Sequence, residues 1–145
     1  MLDKMTVREW MSSPVLTVRA ASPISVVHAM MKERKVRRLA VVNEENRLIG
    51  IVTIGDVREA SPSDATSLSI WELNYLWAQL TVGKIMSRKV ITIKPNETIF
   101  EAANLMLDQK VSGLPVVDET GKLLGMITES DIFRMVVRMG VAETQ

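Results

Sequence analysis

The chain of 145 residues has no cysteine, a single histidine and only 4% aromatic residues. The missing cysteine excludes disulfides, thiolate metal sites and thiol nucleophiles together. His28 stands alone on a helical face with Ile24 and Met31, so it is expected to pack and not to ligate a metal. There is little excess charge of either sign: 18 Lys and Arg against 17 Asp and Glu, a net of +1. Nothing global therefore recruits nucleic acid or an acidic membrane. No hydrophobic run approaches the length of a membrane span. The opening Met1-Leu2-Asp3-Lys4-Met5 lacks the apolar core of a signal peptide, so the cytoplasm is the expected location. What is present is an apolar fraction of 47% and a charged fraction of 24%, which suit a packed core under a soluble surface. The length fits one domain, or two small halves sharing a core. The ten methionines read as adaptable core filler.

The chain repeats itself. Residues 7–60 and 82–135 align without a gap at a constant offset of 75 (131 − 56 = 75), with 17 identities over 54 positions. Leu39-Ala40-Val41-Val42-Asn43-Glu44 answers Leu114-Pro115-Val116-Val117-Asp118-Glu119. A constant register makes each copy one supersecondary unit. Two such units packed on each other offer two related clefts, a geometry of paired binding sites more than of one catalytic centre.

Each copy opens with a β-branched run, residues 15–18 and 90–93, read as a strand. Ser22-Pro23 reads as a helix cap and first-turn proline. Ile24, Val27, His28 and Met31 follow at helical spacing, matched by Ile99, Ala102, Ala103 and Met106. Strands are expected at 39–42 and 48–52, and at 114–117 and 123–127, with a second helix starting at Thr53 or Thr128. The fold class is therefore α/β (α+β), a β-α-β-β-α unit used twice. Met11 and Met86 share a repeat position and are expected at the seam between the repeats.

The stretch 61–81 has no counterpart and reads as a linker carrying a helix over 70–80. Ser69-Ile70-Trp71-Glu72 forms a capping box, with Ser69 as cap and Glu72 reaching back. Trp71, Tyr75 and Trp77 give this helix an apolar surface over most of its circumference. Two readings stand: it covers the core between the repeats, or it forms a dimer or partner interface.

Thr53-Ile54-Gly55-Asp56 and Thr128-Glu129-Ser130-Asp131 repeat a Thr-x-x-Asp pattern after a strand ending in Gly and two apolar residues. As local structure the pattern is a capping box. As chemistry, a Thr hydroxyl at a strand-to-helix junction donates to a phosphate, and a carboxylate one turn on accepts both hydroxyls of a ribose. The two roles are compatible. The basic run Arg34-Lys35-Val36-Arg37-Arg38 reads either as a solvated face or as a phosphate-binding group with planar, always-charged forks.

These motifs, with the opening Trp10-Met11-Ser12-Ser13-Pro14-Val15-Leu16-Thr17-Val18, resemble a tandem CBS-domain pair, the cystathionine-β-synthase-type regulatory module, over residues 5–140. The resemblance implies two repeats related by a pseudo-twofold in a half-disc, with adenosyl ligands in the clefts. It implies ribose contacts from Asp56 and Asp131, and contacts near the ribose-phosphate from Thr53, Thr128 and Ser130. Gly55 stands where the second copy has Ser130, so the sites are not expected to be equivalent. Arg37 and Arg38 match the position from which basic side chains reach phosphates in the γ subunit of AMP-activated protein kinase. The second copy has Ser112-Gly113 there, leaving Ser112 as a hydrogen-bond donor. Val15 and Val90 match positions of an apolar adenine slot, and equally read as plain core valines. Ala40 replaces the usual proline, present as Pro115.

No nucleophile–base pair, metal cluster or Gly-rich phosphate loop is visible, so an enzyme is not expected. The expected function is an energy-sensing regulatory module. It would bind AMP, ADP, ATP or S-adenosylmethionine as a regulatory ligand and signal to an effector protein or through homodimerisation. The alternative is an oligomerisation module with empty or degenerate pockets.

Overall fold

Two short β-rich units, each covered by helices, make up the chain in the computed structural model, which describes residues 4–13, 15–60 and 69–144, with side chains through Val141. In chain order the elements are α1 (Val7–Trp10), β1 (Thr17–Val18), α2 (Ile24–Arg34), β2 (Arg38–Val42), β3 (Leu48–Thr53) and α3 (Ile54–Ala60). After them come α4 (Ile70–Gln79), α5 (Val82–Ile85), α6 (Ile99–Gln109), β4 (Gly113–Val117), β5 (Leu123–Thr128) and α7 (Glu129–Thr144). Leu16–Val90 forms one unit. The residues up to Val15, with those from Ile91 onward, form the other.

In the unit of Leu16–Val90, β2 lies between β1, parallel to it, and β3, antiparallel to it. Four consecutive residues of β2, from Leu39 to Val42, are buried, as expected of a strand covered on both faces. Ile24, Val27 and Met31 turn one face of α2 into the core. The helix ends where Lys35 turns left-handed (φ 56°) and donates its N–H to the Met31 carbonyl. In the other unit β4 pairs with β5, and α6 ends the same way, with Lys110 at φ 56° donating to Met106. Both hairpins carry an irregularity at the same place, Val41/Val42 and Val116/Val117. Both turns are tied by one side chain: Asn43 Oδ1 accepts from the N–H groups of Glu45 and Arg47, and Asp118 Oδ1 from those of Thr120 and Lys122.

Several local expectations shift. The first strand begins at Thr17, not Val15, and its copy over 90–93 is reduced to one parallel bridge, Ile93 to Val116. Each run ends because the next N–H bends back to a side chain: Arg19 donates to Ser22 Oγ, and Lys94 to Glu97 Oε2. Ser22 thus closes a turn, and Pro23 is the residue that caps α2. Thr53 and Thr128 are the last residues of their strands, paired with Arg38 and Gly113, so α3 and α7 start one residue later than expected.

The four-residue helices α1 and α5 are too short to leave a periodic pattern in the sequence. Each places a wholly buried valine, Val7 or Val82. The residue two beyond each helix then joins a strand of the other copy. Ser12 exchanges both backbone hydrogen bonds with Met126 of β5 (2.9 and 3.0 Å), and Ser87 does so with Ile51 of β3 (2.9 Å each). The leading segment of each repeat is therefore built into the unit that holds the other repeat's hairpin.

Residues 61–68 of the expected linker lie outside the described residues. The capping box of α4 forms: Ser69 Oγ accepts from the Glu72 N–H at 3.2 Å and donates to Glu72 Oε1 at 3.1 Å. The helix ends at Gln79 because Leu80 is extended and offers its carbonyl to Ile24 N–H. The two faces of this helix differ. Trp77 and Leu80 pack on the core of the Leu16–Val90 unit, with His28 edge-on to Trp77 at 5.7 Å. Trp71 and Tyr75 stay 81% and 66% exposed and line an open groove of about 410 Å3 with Glu72 and Leu76.

Candidate functional site

The two Thr-x-x-Asp sequences lie at equivalent strand-to-helix junctions, one per unit. In the Leu16–Val90 unit the box is reciprocal. Asp56 Oδ2 accepts from the Thr53 N–H at 2.9 Å, and Thr53 Oγ1 accepts from the Asp56 N–H at 3.2 Å. Because that hydroxyl accepts inward, its proton remains to be donated outward. Arg38 is the direct cross-strand partner of Thr53, so the two side chains emerge on one face of the sheet. The Arg37 carbonyl receives the first N–H of α3, from Ile54, at 2.8 Å, and its side chain is exposed. The basic run thus joins the Thr53–Asp56 corner through backbone pairing. A hydroxyl donor and a half-buried carboxylate share this junction, with Arg38 across from Thr53 on the neighbouring strand and Arg37 tied to it through its backbone.

The second junction has the same backbone and different chemistry. The Ser112 carbonyl receives the Glu129 N–H at 3.0 Å, repeating the Arg37–Ile54 bond. Gly113 faces Thr128 where Arg38 faces Thr53, so no cation stands across from this threonine. Asp131 is the one buried charged residue among those described, 3% exposed. Its Oδ2 accepts from the Thr128 N–H at 2.8 Å and from Thr128 Oγ1 at 3.2 Å. Its Oδ1 accepts from Arg134 Nη2 at 2.6 Å and from Ser12 Oγ at 3.2 Å.

Ser130 is exposed on the first turn of α7, and its counterpart Gly55 is exposed on α3. Val15 and Val90 are half-buried and lie outside the named strands. Val15 belongs to the unit of Asp131, and Val90 to the unit of Asp56. Sequence reasoning missed Ser12 and Arg134. The Asp131–Arg134 spacing of three on one helix was a legible ion-pair signal; the approach of Ser12 across 119 residues was not.

A groove of about 390 Å3 lined by Arg19, Val42, Asn43, Glu44 and Ile49 lies by the β2–β3 turn and includes none of the expected ligand residues. Among the described residues no three His, Cys, Asp or Glu side chains gather to hold a metal ion, and no helix is long and apolar enough to cross a membrane.

The repeated hairpin-and-helix units have close counterparts among known proteins. A CBS domain-containing protein of Dictyostelium discoideum is 30% identical over 136 residues, which span 94% of each chain. A homoserine O-acetyltransferase of Methanococcoides burtonii is 34% identical over 135 residues, 93% of this chain and 25% of that enzyme. The chain therefore spans about a quarter of that relative. The structure of CBSX2 in complex with AMP matches with a TM-score of 0.78 at 26% identity, covering 94% of this chain and 98% of that one; CBSX2 is from Arabidopsis thaliana. The CBS domain pair of protein MJ0100, solved with 5′-methylthioadenosine and S-adenosyl-L-methionine, matches with a TM-score of 0.75 at 27% identity, covering 93% and 98%. The family model for the CBS domain matches residues 7–63 and again residues 82–138, so the chain belongs to the CBS domain family and carries the domain twice.

Proposed function

We propose that this chain is a cytoplasmic regulatory module that binds an adenosine-containing ligand without transforming it. The ligand would be an adenine nucleotide, AMP, ADP or ATP, or an S-adenosylmethionine-type compound. The observation that carries the reading is the junction of Thr53, Asp56, Arg37 and Arg38. Asp56 accepts the ribose hydroxyls, Thr53 donates to the phosphate side, and the arginines neutralise phosphate charge. Structural relatives that hold AMP, or S-adenosyl-L-methionine with 5′-methylthioadenosine, support this ligand class. With these ligands the module would report adenylate state.

Calorimetric titration with AMP, ATP, S-adenosylmethionine and NAD tests the reading. Saturable heat is expected with at least one of them. Asp56→Ala is expected to remove about 1.5–3 kcal/mol, more than tenfold in affinity. Parent affinity in a folded Asp56→Ala protein would leave Thr53-x-x-Asp56 as a helix cap alone.

Occupancy would pass to an effector protein or to self-association. The exposed aromatic face of α4 supports a homodimer as that output. It also favours the second reading, an oligomerisation module with unused pockets, which follows if none of the four compounds binds.

A further inference from the structure

The two carboxylates of the repeated motif are equivalent in backbone and unequal in what already occupies them. Asp56 receives one backbone N–H through Oδ2, and among the described residues no side chain donates to it. Asp131 receives four donors, two on each oxygen: the Thr128 N–H and hydroxyl on Oδ2, Arg134 and Ser12 on Oδ1. A carboxylate offers about four lone-pair positions, so the chain itself fills them all. The Thr128 proton is spent on Asp131 as well, whereas the Thr53 hydroxyl accepts from the backbone and, among the described residues, donates to none.

The difference is written in the sequence of one copy only. Arg134 corresponds to Glu59 (134 − 75 = 59), an exposed acid in the last turn of α3. Ser12 corresponds to Ser87, whose hydroxyl points to the Lys89 carbonyl at 3.5 Å. A guanidinium–carboxylate bond is charge-assisted and stronger than a bond from a neutral ribose hydroxyl. A ribose must therefore displace Arg134 and Ser12 to reach Asp131, but among the described residues meets no such competitor at Asp56. The Arg134 side chain is 55% exposed and its carboxylate partner 4%, so the clasp reaches inward from the solvent side of α7.

We infer that Arg134 is an internal competitor for the ribose-binding carboxylate of the second repeat, so that an adenosine nucleotide loads on Asp56 while Asp131 stays clasped. Arg134 is a positioning residue: it acts through Asp131, by holding it. The inference rests on the adenosine-binding reading proposed above.

The test is calorimetric titration of the full chain with AMP. The parent is expected to bind one equivalent per chain. Arg134→Gln is expected to bind a second equivalent, which Asp131→Ala then removes, and Arg134→Lys, which keeps the cation, is expected to stay at one. A role of Arg134 in folding alone would not create a second equivalent. Glu59→Arg installs the clasp on the first repeat at an exposed position. It is expected to weaken AMP binding at least tenfold, independently of how well Arg134→Gln folds. Two equivalents in the parent would overturn the inference. So would Arg134→Gln and Glu59→Arg proteins that bind as the parent does, while Asp56→Ala still loses binding. Absence of AMP binding in the parent and every variant would instead sink the adenosine reading, and the clasp with it.

Discussion

Met11 lies flat against Gly125. A Cβ built on that glycine would come within 2.6 Å of Met11 Sδ and 2.9 Å of the Ser12 carbonyl oxygen. The relationship recurs at Gly50, where the Cβ would meet Met86 Sδ at 2.6 Å and the Ser87 carbonyl at 3.0 Å. The glycine in each β-strand is thus the seat on which the other copy's leading segment rests. Methionine sulfur can move, but the carbonyl is held by its hydrogen bond to Met126 or Ile51. Gly125→Ala and Gly50→Ala are each expected to cost about 1–3 kcal/mol by overpacking. Urea unfolding of both variants checks this; unchanged midpoints would show that the segment lifts off freely.

The Asp118 turn has a pH signature. The Thr120 hydroxyl bonded to its carboxylate, foremost, lowers the Asp118 pKa; desolvation opposes it, and the N–H groups of Lys122 and Thr120 add to the lowering. A carboxyl whose folded pKa lies below its unfolded value stabilises the fold above the unfolded pKa. That contribution fades as pH falls through the folded one. Asp118→Asn keeps an acceptor oxygen, as Asn43 does in the first copy, and gives up the titration. The parent's advantage over Asp118→Asn is expected to be full at pH 7 and to shrink below about pH 4, the ordinary aspartate range. Thermal melts from pH 7 to pH 2.5 measure it, and a difference that grows on acidification would refute it.

Helix α4 buries no residue wholly, so its cap matters more than for a helix held by a core. Ser69→Ala removes the hydroxyl that Glu72 N–H needs. A loss of about 1 kcal/mol of local stability is expected, which is roughly fivefold faster amide exchange. Hydrogen exchange over residues 70–79 reads it directly, with α6 as an internal control that should not change.

Self-association is expected through the same helix. Trp71 and Tyr75, four residues apart, share one exposed face. Burying apolar area contributes about 25 cal/mol per Å2, so a few hundred Å2 suffices to favour a dimer. Sedimentation equilibrium is expected to show a dimer at tens of micromolar, and a Trp71→Glu, Tyr75→Lys protein is expected to be monomeric. A monomeric parent refutes the homodimer; a dimer indifferent to the double substitution moves the interface off this face.

What could be read in the sequence was what neighbours along the chain decide. The hairpin strands followed from β-branched runs, and the boxes at Ser69 and Thr53 from spacing alone. The strand at 90–93 misled because β propensity counts side chains and not available partners: only Ile93 finds one, Val116. The second site misled for a related reason. A repeat alignment equates Asp56 with Asp131, yet Ser12 reaches Asp131 from the far end of the chain, and pairwise spacing carries no trace of that approach.

The exchanged leading segments also set an order of assembly. Leu16–Val90 is continuous, so every residue of that unit is present once position 90 has been synthesised. The other unit needs residues up to Val15 to wait, unpartnered, until the stretch from Ile91 onward has been made. Its closing contact, Ser12 with Met126, spans a loop of more than a hundred residues and bears the larger entropic cost. On a ribosome the Leu16–Val90 unit therefore matures early, and the other must capture the segment that precedes Leu16 to finish. Trimming the first dozen residues would accordingly injure the C-terminal half of the protein, not the N-terminal half to which they are joined.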